Sequence, residues 1–159
     1  MISGPDPASA VSQGRVSQRR GSASVPGSTD LTTVPVISVI DDDESIRTAI
    51  YNLLRSLGYI IHVFASAEAF LESPQLHNTW CVIADVRMPG MSGIDLQFRL
   101  RSEGNPVPFV FVTAVPEESV RARALEFGAV CFLTKPFDED SLIACLGKAL
   151  ARHIGGELR

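Results

Sequence analysis

From residue 34 onward, short β-branched or aromatic runs alternate with stretches of helical apolar spacing, five times over. Val36–Ile40 reads as a buried strand. Behind it Ile46, Ile50, Leu53, Leu54 and Leu57 recur at helical spacing, with acids at the start and Gly58 placed to close the helix. Residues 59–64 predict a second strand, Ser66 the N-cap of a short helix through Leu71, and residues 81–84 a third strand. Pro89 and Gly90 mark a loop. Residues 94–101 pull two ways: Ile94, Leu96, Phe98 and Leu100 alternate as in a strand, but a crossover must intervene before the strand at 109–112, so a helix is expected. Pro116 at the first helical position, Glu117 and Glu118 in the first turn and Gly128 at the end frame the next helix. Residues 130–133 predict the fifth strand, and Asp138 caps a last helix carrying Leu142, Ile143, Leu146 and Leu150.

Five successive β-α units require an α/β fold with a parallel sheet covered on both faces. Right-handed crossovers favour the doubly wound (βα)5, flavodoxin-like order 2-1-3-4-5. Residues 1–33 are dominated by Ser, Gly, Pro, Ala and Thr and bury too little to offset ordering entropy, so a disordered tail is expected there. The folded domain is assigned to 34–154 and a short C-terminal tail to 155–159.

The chain carries 14 basic and 18 acidic residues, and its first 33 residues are slightly basic, which leaves the domain more acidic than the whole. Such a balance argues against direct nucleic-acid binding. No stretch is long and apolar enough for a membrane helix, and the N-terminus lacks a secretory apolar core, so a cytoplasmic protein is expected. Cys81, Cys131 and Cys145 are widely spaced in apolar contexts and read as buried reduced thiols, with no metal-binding spacing among them. His62, His77 and His153 are scattered and read as ordinary surface or strand-end residues.

Four of the strand segments end on residues able to handle a phosphoryl group. The first runs into Asp41, Asp42 and Asp43, the third into Asp85, the fourth into Thr113, and the fifth leads through Thr134 to Lys135. In open α/β sheets ligands bind at the carboxyl ends of the strands, where these groups converge. Crowded carboxylates repel unless a cation intervenes, and Mg²⁺ suits a site of few carboxylates, waters and phosphate oxygens. Asp85 can act as a carboxylate nucleophile at phosphorus, with Lys135 and Thr113 supplying a cation and a hydroxyl donor to phosphoryl oxygens. Singly, three acids are an ordinary helix start, a Lys-Pro an ordinary turn and a strand-end Thr unremarkable. Their joint placement at strand ends carries the argument.

The runs Val39-Ile-Asp-Asp-Asp-Glu-Ser-Ile-Arg47, Asp85-Val-Arg-Met-Pro-Gly-Met-Ser-Gly93, Thr113-Ala114 and Phe132-Leu-Thr-Lys-Pro-Phe137 resemble receiver domains of two-component response regulators, over about residues 35–151. Among them the chain is most similar to the receivers that open FixJ-type regulators. The resemblance implies Asp85 as phosphoacceptor, Asp42 as a direct Mg²⁺ ligand, Asp41 acting through water, the Arg87 carbonyl as a further ligand, and Lys135 as the phosphate-binding lysine. Asp43 falls one place too late for the acidic pair. Thr113 and Phe132 are implied as a switch pair that reshapes the face formed by the fourth helix, fifth strand and fifth helix. A cis peptide before Pro136 is implied as well. Arg87 and Val115 stand at the positions that tune phosphate lifetime in that family; neither suits the positioning of a hydrolytic water, so slow self-dephosphorylation is expected.

The implied partners are a sensor histidine kinase or phosphotransfer protein and a downstream protein, with homodimerisation on phosphorylation compatible with the same face. The expected role is phosphorelay signalling by a stand-alone receiver rather than catalysis. Competing readings are a phosphate sink or relay intermediate, a binding module that never carries phosphate, a fragment of a larger transcriptional regulator, and an aspartyl phosphatase. The last is disfavoured because Arg87 stands where haloacid-dehalogenase-type enzymes place their second Asp. No P-loop or Gly-x-Gly-x-x-Gly is present.

Overall fold

The computed structural model describes residues 33–157. The tail at 1–33 therefore lies, but for Thr33, outside the described residues. Its elements are β1 (Val36–Ile40), α1 (Glu44–Ser56), β2 (Ile60–Phe64), α2 (Ala67–Leu71), a 3-10 turn (Pro74–His77), β3 (Cys81–Asp85), α3 (Gly93–Ser102), β4 (Phe109–Thr113), α4 (Glu118–Glu126), β5 (Cys131–Thr134) and α5 (Glu139–Glu157). The strands form one parallel sheet in the order β2-β1-β3-β4-β5, as the β-α alternation predicts.

Burial separates centre from edge. Every residue of β3 and β4 is buried, which is why both read as unbroken apolar runs, whereas the edge strands β2 and β5 are only half-covered. Side chains alternate strictly between faces. Ile37, Val39, Cys81, Ile83, Val110 and Val112 pack with Ile50 and Leu54 of α1 and Leu142, Leu146 and Ala149 of α5. Ile40, Val82, Ala84, Phe109 and Phe111 pack on the other face with Phe70 of α2, Leu96 and Leu100 of α3 and Ala124 of α4.

The α3 segment resolves the conflict between its two periods. Ile94, Leu96, Gln97 and Leu100 are buried while Phe98 is left exposed against Phe127, so the alternation was produced by one outward aromatic and one inward amide. Gln97 donates through Nε2 to the carbonyls of Ala124 (3.2 Å) and Phe127 (3.3 Å) at the end of α4. Arg101 adds a bond from Nε to Phe127 (3.1 Å) and two from a terminal nitrogen to Asn105 and Val107 (3.0 and 2.9 Å).

Three local expectations need correction. Pro116 is not the first residue of α4, because Glu117 is still extended and occupies the N-cap. The last helix continues to Glu157, past 154, with His153 near its end stacked on Trp80 (ring centroids 4.7 Å apart). Cys131 and Cys145 are not separate thiols: their Cα atoms lie 5.9 Å apart and the sulfurs form a disulfide, while Cys81 stays a buried free thiol. Strand β5 and helix α5 lie against each other on one face, a proximity that a 14-residue separation does not reveal. Gly58, by contrast, closes α1 as expected, with φ +96° and its N–H bonded to the Arg55 carbonyl (2.9 Å).

Candidate functional site

Register delivers the site. Ile40 pairs with Ala84, so Asp41 and Asp85 leave adjacent central strands side by side. Asp85 pairs with Val112, and Thr113, one step on, pairs with Thr134. The Lys135 amide then bonds the Thr113 carbonyl (2.7 Å), which brings the lysine back over the same edge. The Lys135-Pro136 peptide is cis.

Carboxylate oxygens of Asp41, Asp42 and Asp85 all lie within 4.8 Å of one another, a group able to hold a metal ion. Asp41 and Asp85 are buried and Asp42 sits at the exposed rim. Lys135 Nζ bridges the inner pair, donating to Asp41 Oδ2 (2.9 Å) and Asp85 Oδ2 (3.0 Å). Burial pushes the Asp41 carboxyl above its ordinary value, against the pull of the Asp43 amide and Lys135, and the neighbouring Asp85 charge adds to the rise. Burial opposes the charge of Lys135 too, but its bonds to the two aspartates outweigh this, and its pKa rises. The difference between them follows from depth: the Asp41 side chain is 1% exposed and that of Lys135 14%.

These donors suit a hard divalent cation. They are all oxygens, two are fixed in the interior, and the third opens to water where hydration can be retained.

The remaining candidates are placed as follows. Asp43 stands apart from the cluster, capping α1 through bonds from the Ser45 amide (2.9 Å) and hydroxyl (2.7 Å), which hold its carboxyl below the usual range. Arg47 clasps the Asp41 carbonyl from α1 (2.7 Å). The amide of Arg87 donates to Asp85 Oδ1 (3.1 Å). Thr113 is buried, and its hydroxyl is engaged with the amide and carbonyl of Val115 (3.2 and 3.3 Å). Phe132 is half-buried, its ring centroid 6.3 Å from that of Phe111.

Three further residues shape this edge, and the sequence reading assigned none of them a part in it. Glu117 pairs with the Arg87 guanidinium (2.6 Å), both side chains about half exposed, beside a 500 Å³ cleft between the β3–α3 loop and α4. Glu68 accepts the Met91 amide (2.9 Å), which holds its carboxyl low. Gly93 carries no side chain because a Cβ there would collide with the Asp85 carbonyl oxygen. No local pattern marks the two glutamates; the run ending at Gly93 contained the third.

A parallel (βα)5 sheet that gathers acids and a lysine at its carboxyl edge is the architecture of phosphorelay signal receivers. This chain belongs to the response regulator receiver domain family, whose model matches residues 37–147. It is 38% identical over 115 residues to the response regulator protein TodT of Pseudomonas putida, covering 72% of this chain and 51% of that protein. With the transcriptional regulatory protein FixJ of Bradyrhizobium diazoefficiens it shares 38% identity over 120 residues, 76% of this chain and 58% of the relative. The chain thus spans about half the length of the curated relatives it matches. Among solved structures, the response regulator StyR aligns with a TM-score of 0.72 at 38% identity, covering 79% of this chain and 64% of that one. The N-terminal part of FixJ aligns with a TM-score of 0.67 at 27% identity, over 75% and 95% of the two chains. The chain's function is that of a receiver in two-component phosphorelay signalling.

Proposed function

We propose that Asp85 is the phosphoacceptor, taking its phosphoryl group from a histidine kinase or phosphotransfer protein in an Mg²⁺-dependent reaction. The observation that carries this reading is the bridging of Asp41 and Asp85 by Lys135 beside the rim carboxylate of Asp42. Asp42, Asp85 and the Arg87 carbonyl would hold the ion directly and Asp41 through water. Bound there, it would offset charge between the carboxylates and phosphoryl oxygens.

The chain's own residues do the rest. An Asp85 carboxylate oxygen attacks phosphorus, the bond from phosphorus to the donor histidine nitrogen breaks, and the imidazole leaves with the electron pair and takes up a proton. Lys135 lies within one bond of the nucleophile and supplies a cation to a phosphoryl oxygen. The Arg87 amide orients the carboxylate. Thr113 exchanges its bonds to Val115 for one to the phosphoryl group, and Phe132 moves into the space released. The face of α4, β5 and α5 then changes shape for a downstream protein or a second copy. Near-complete switching by such a population shift requires about 5.5 kcal/mol of differential stabilisation. The chain acts as a phosphoryl carrier in signalling rather than as an enzyme turning over a substrate, and the cytoplasm is its expected compartment.

The test is intact-mass analysis after incubation with acetyl phosphate and Mg²⁺. One phosphate on the wild type, lost in Asp85→Ala and abolished by chelator, is the expected result. An adduct that persists in Asp85→Ala would refute the assignment.

A further inference from the structure

The cysteine pair lies within the segment that the proposed switch has to move. Cys131 opens β5 immediately before Phe132, and Cys145 sits on the inner side of α5. The loop they close contains Phe132, Lys135 and the turn into α5. Cys131 is half-buried on an edge strand, whereas Cys145 is 7% exposed. The third cysteine offers no competition. Cys81 is fully buried in the central strand β3, and burial pushes its thiol far above the ordinary value.

We propose that Cys131 and Cys145 are a reversible thiol–disulfide couple, exchanging with low-molecular-weight disulfides and thiols, whose closure restrains the β5–α5 segment and lowers phosphorylation of Asp85. The proposal rests on the receiver reading above.

The exchange balances in two steps. The Cys131 thiolate attacks one sulfur of the small disulfide, forming a mixed disulfide and releasing one small thiolate. The Cys145 thiolate then attacks the Cys131 sulfur, closing the bond and releasing the second. Two protein thiols are oxidised, one small disulfide is reduced, and the two protons pass to the released thiols.

The direction of the effect follows from which arrangement contains the bond. The sulfurs meet in a structure where the Thr113 hydroxyl is engaged with Val115. A covalent link that closes in one of two arrangements favours that arrangement, and by linkage opposes whatever stabilises the other. Phosphorylation turns the Thr113 hydroxyl from Val115 towards Asp85, and Phe132, which follows Cys131 in the strand that the link holds, moves into the space released.

The full 159-residue chain is incubated with glutathione disulfide or with dithiothreitol, and accessible and total thiols are counted with and without denaturant. Oxidised protein is expected to show one thiol, exposed only by denaturant, and to recover the other two on reduction. Labelling by acetyl phosphate and Mg²⁺ is then timed for both forms. The oxidised form is expected to label roughly five-fold or more slowly, within the ordinary range of site-to-site coupling. Cys131→Ser and Cys145→Ala are expected to label at the reduced rate whatever the redox buffer. The two wild-type forms carry the test should either variant fold poorly. Three thiols under all conditions, a pair that dithiothreitol cannot open in the native protein, or equal labelling of both forms would overturn the proposal. Equal labelling leaves the receiver reading intact, whereas failure of both forms to label overturns that reading along with it.

Discussion

Replacing Lys135 with Met removes the one cation that bridges Asp41 and Asp85 while keeping the aliphatic stem. The two bonds measure 2.9 and 3.0 Å, and at an effective dielectric of about 20 each unit-charge contact is worth roughly 5 kcal/mol before desolvation. Desolvation cancels most of that, and truncating one partner of a buried pair typically costs about 3–5 kcal/mol. The carboxylates left unpaired are 1% exposed at Asp41 and 10% at Asp85, so water screens only the second. A loss of about 3 kcal/mol, the low end of that range, is therefore expected in chelator, read by urea denaturation at neutral pH. Excess Mg²⁺ should recover most of it. An ion bound only to the folded state at a hundred times its Kd contributes about 2.7 kcal/mol, and the variant presents the more negative site. Two results would refute the reasoning: a negligible loss in chelator, or the same loss with chelator and with Mg²⁺. The first would mean that the bridge is already cancelled by its own desolvation, the second that the cation and the ammonium act at different places.

Gly93→Ala is expected to cost about 1–3 kcal/mol and to slow phosphorylation, since its methyl group must displace the backbone of Asp85; unchanged denaturation and labelling would contradict this. Ser92→Ala removes the capping box at α3, in which Ser92 Oγ accepts the Asp95 amide (3.0 Å), and should cost about 1 kcal/mol in the same denaturation assay. Asp138 and Glu68 titrate below their ordinary values of 3.8 and 4.5, through bonds from Ser141 and from the Met91 amide respectively. Their contribution is complete above those values and is lost as pH falls through the lower folded ones, so Asp138→Asn and Glu68→Gln should flatten the acid limb of a stability-against-pH curve. With Arg87 and Val115 flanking the site, the phosphoprotein is expected to lose phosphate slowly; a half-life of seconds for the purified protein would contradict it.

The sheet order was legible because β3 and β4, buried on both faces, write themselves as continuous apolar runs, and because Gly58 and Gly128 punctuate the helices. The acid–lysine cluster was legible for a related reason: parallel strands share one carboxyl edge, so strand-end residues far apart in sequence must meet there. Pairings that depend on side-chain reach were not. Glu117 finds Arg87 and Glu68 finds the Met91 amide across loops whose course no local pattern encodes. Gln97 on α3 is fully buried, and its role becomes visible only once the carbonyls at the end of α4 are seen beside it. Cys81 is the buried thiol expected, but Cys131 and Cys145 were misread, since an apolar context is what a buried thiol and a buried disulfide have in common.

The two ends of α4 are held very differently. At its C-terminal end Gln97 and Arg101 take up the Ala124 and Phe127 carbonyls, and Arg152 takes that of Gly128 (2.6 Å). At its N-terminal end Glu117 makes no capping bond with its side chain and is tied to Arg87 by a solvent-exposed ion pair, the kind that salt weakens. A rod pinned at one end and lightly latched at the other swings about its pin. Movement of α4 should therefore be greatest at Glu118, its first residue, and fade towards Phe127. On this reasoning Arg87–Glu117 is the contact to part first, and raising the ionic strength should loosen that end of the helix.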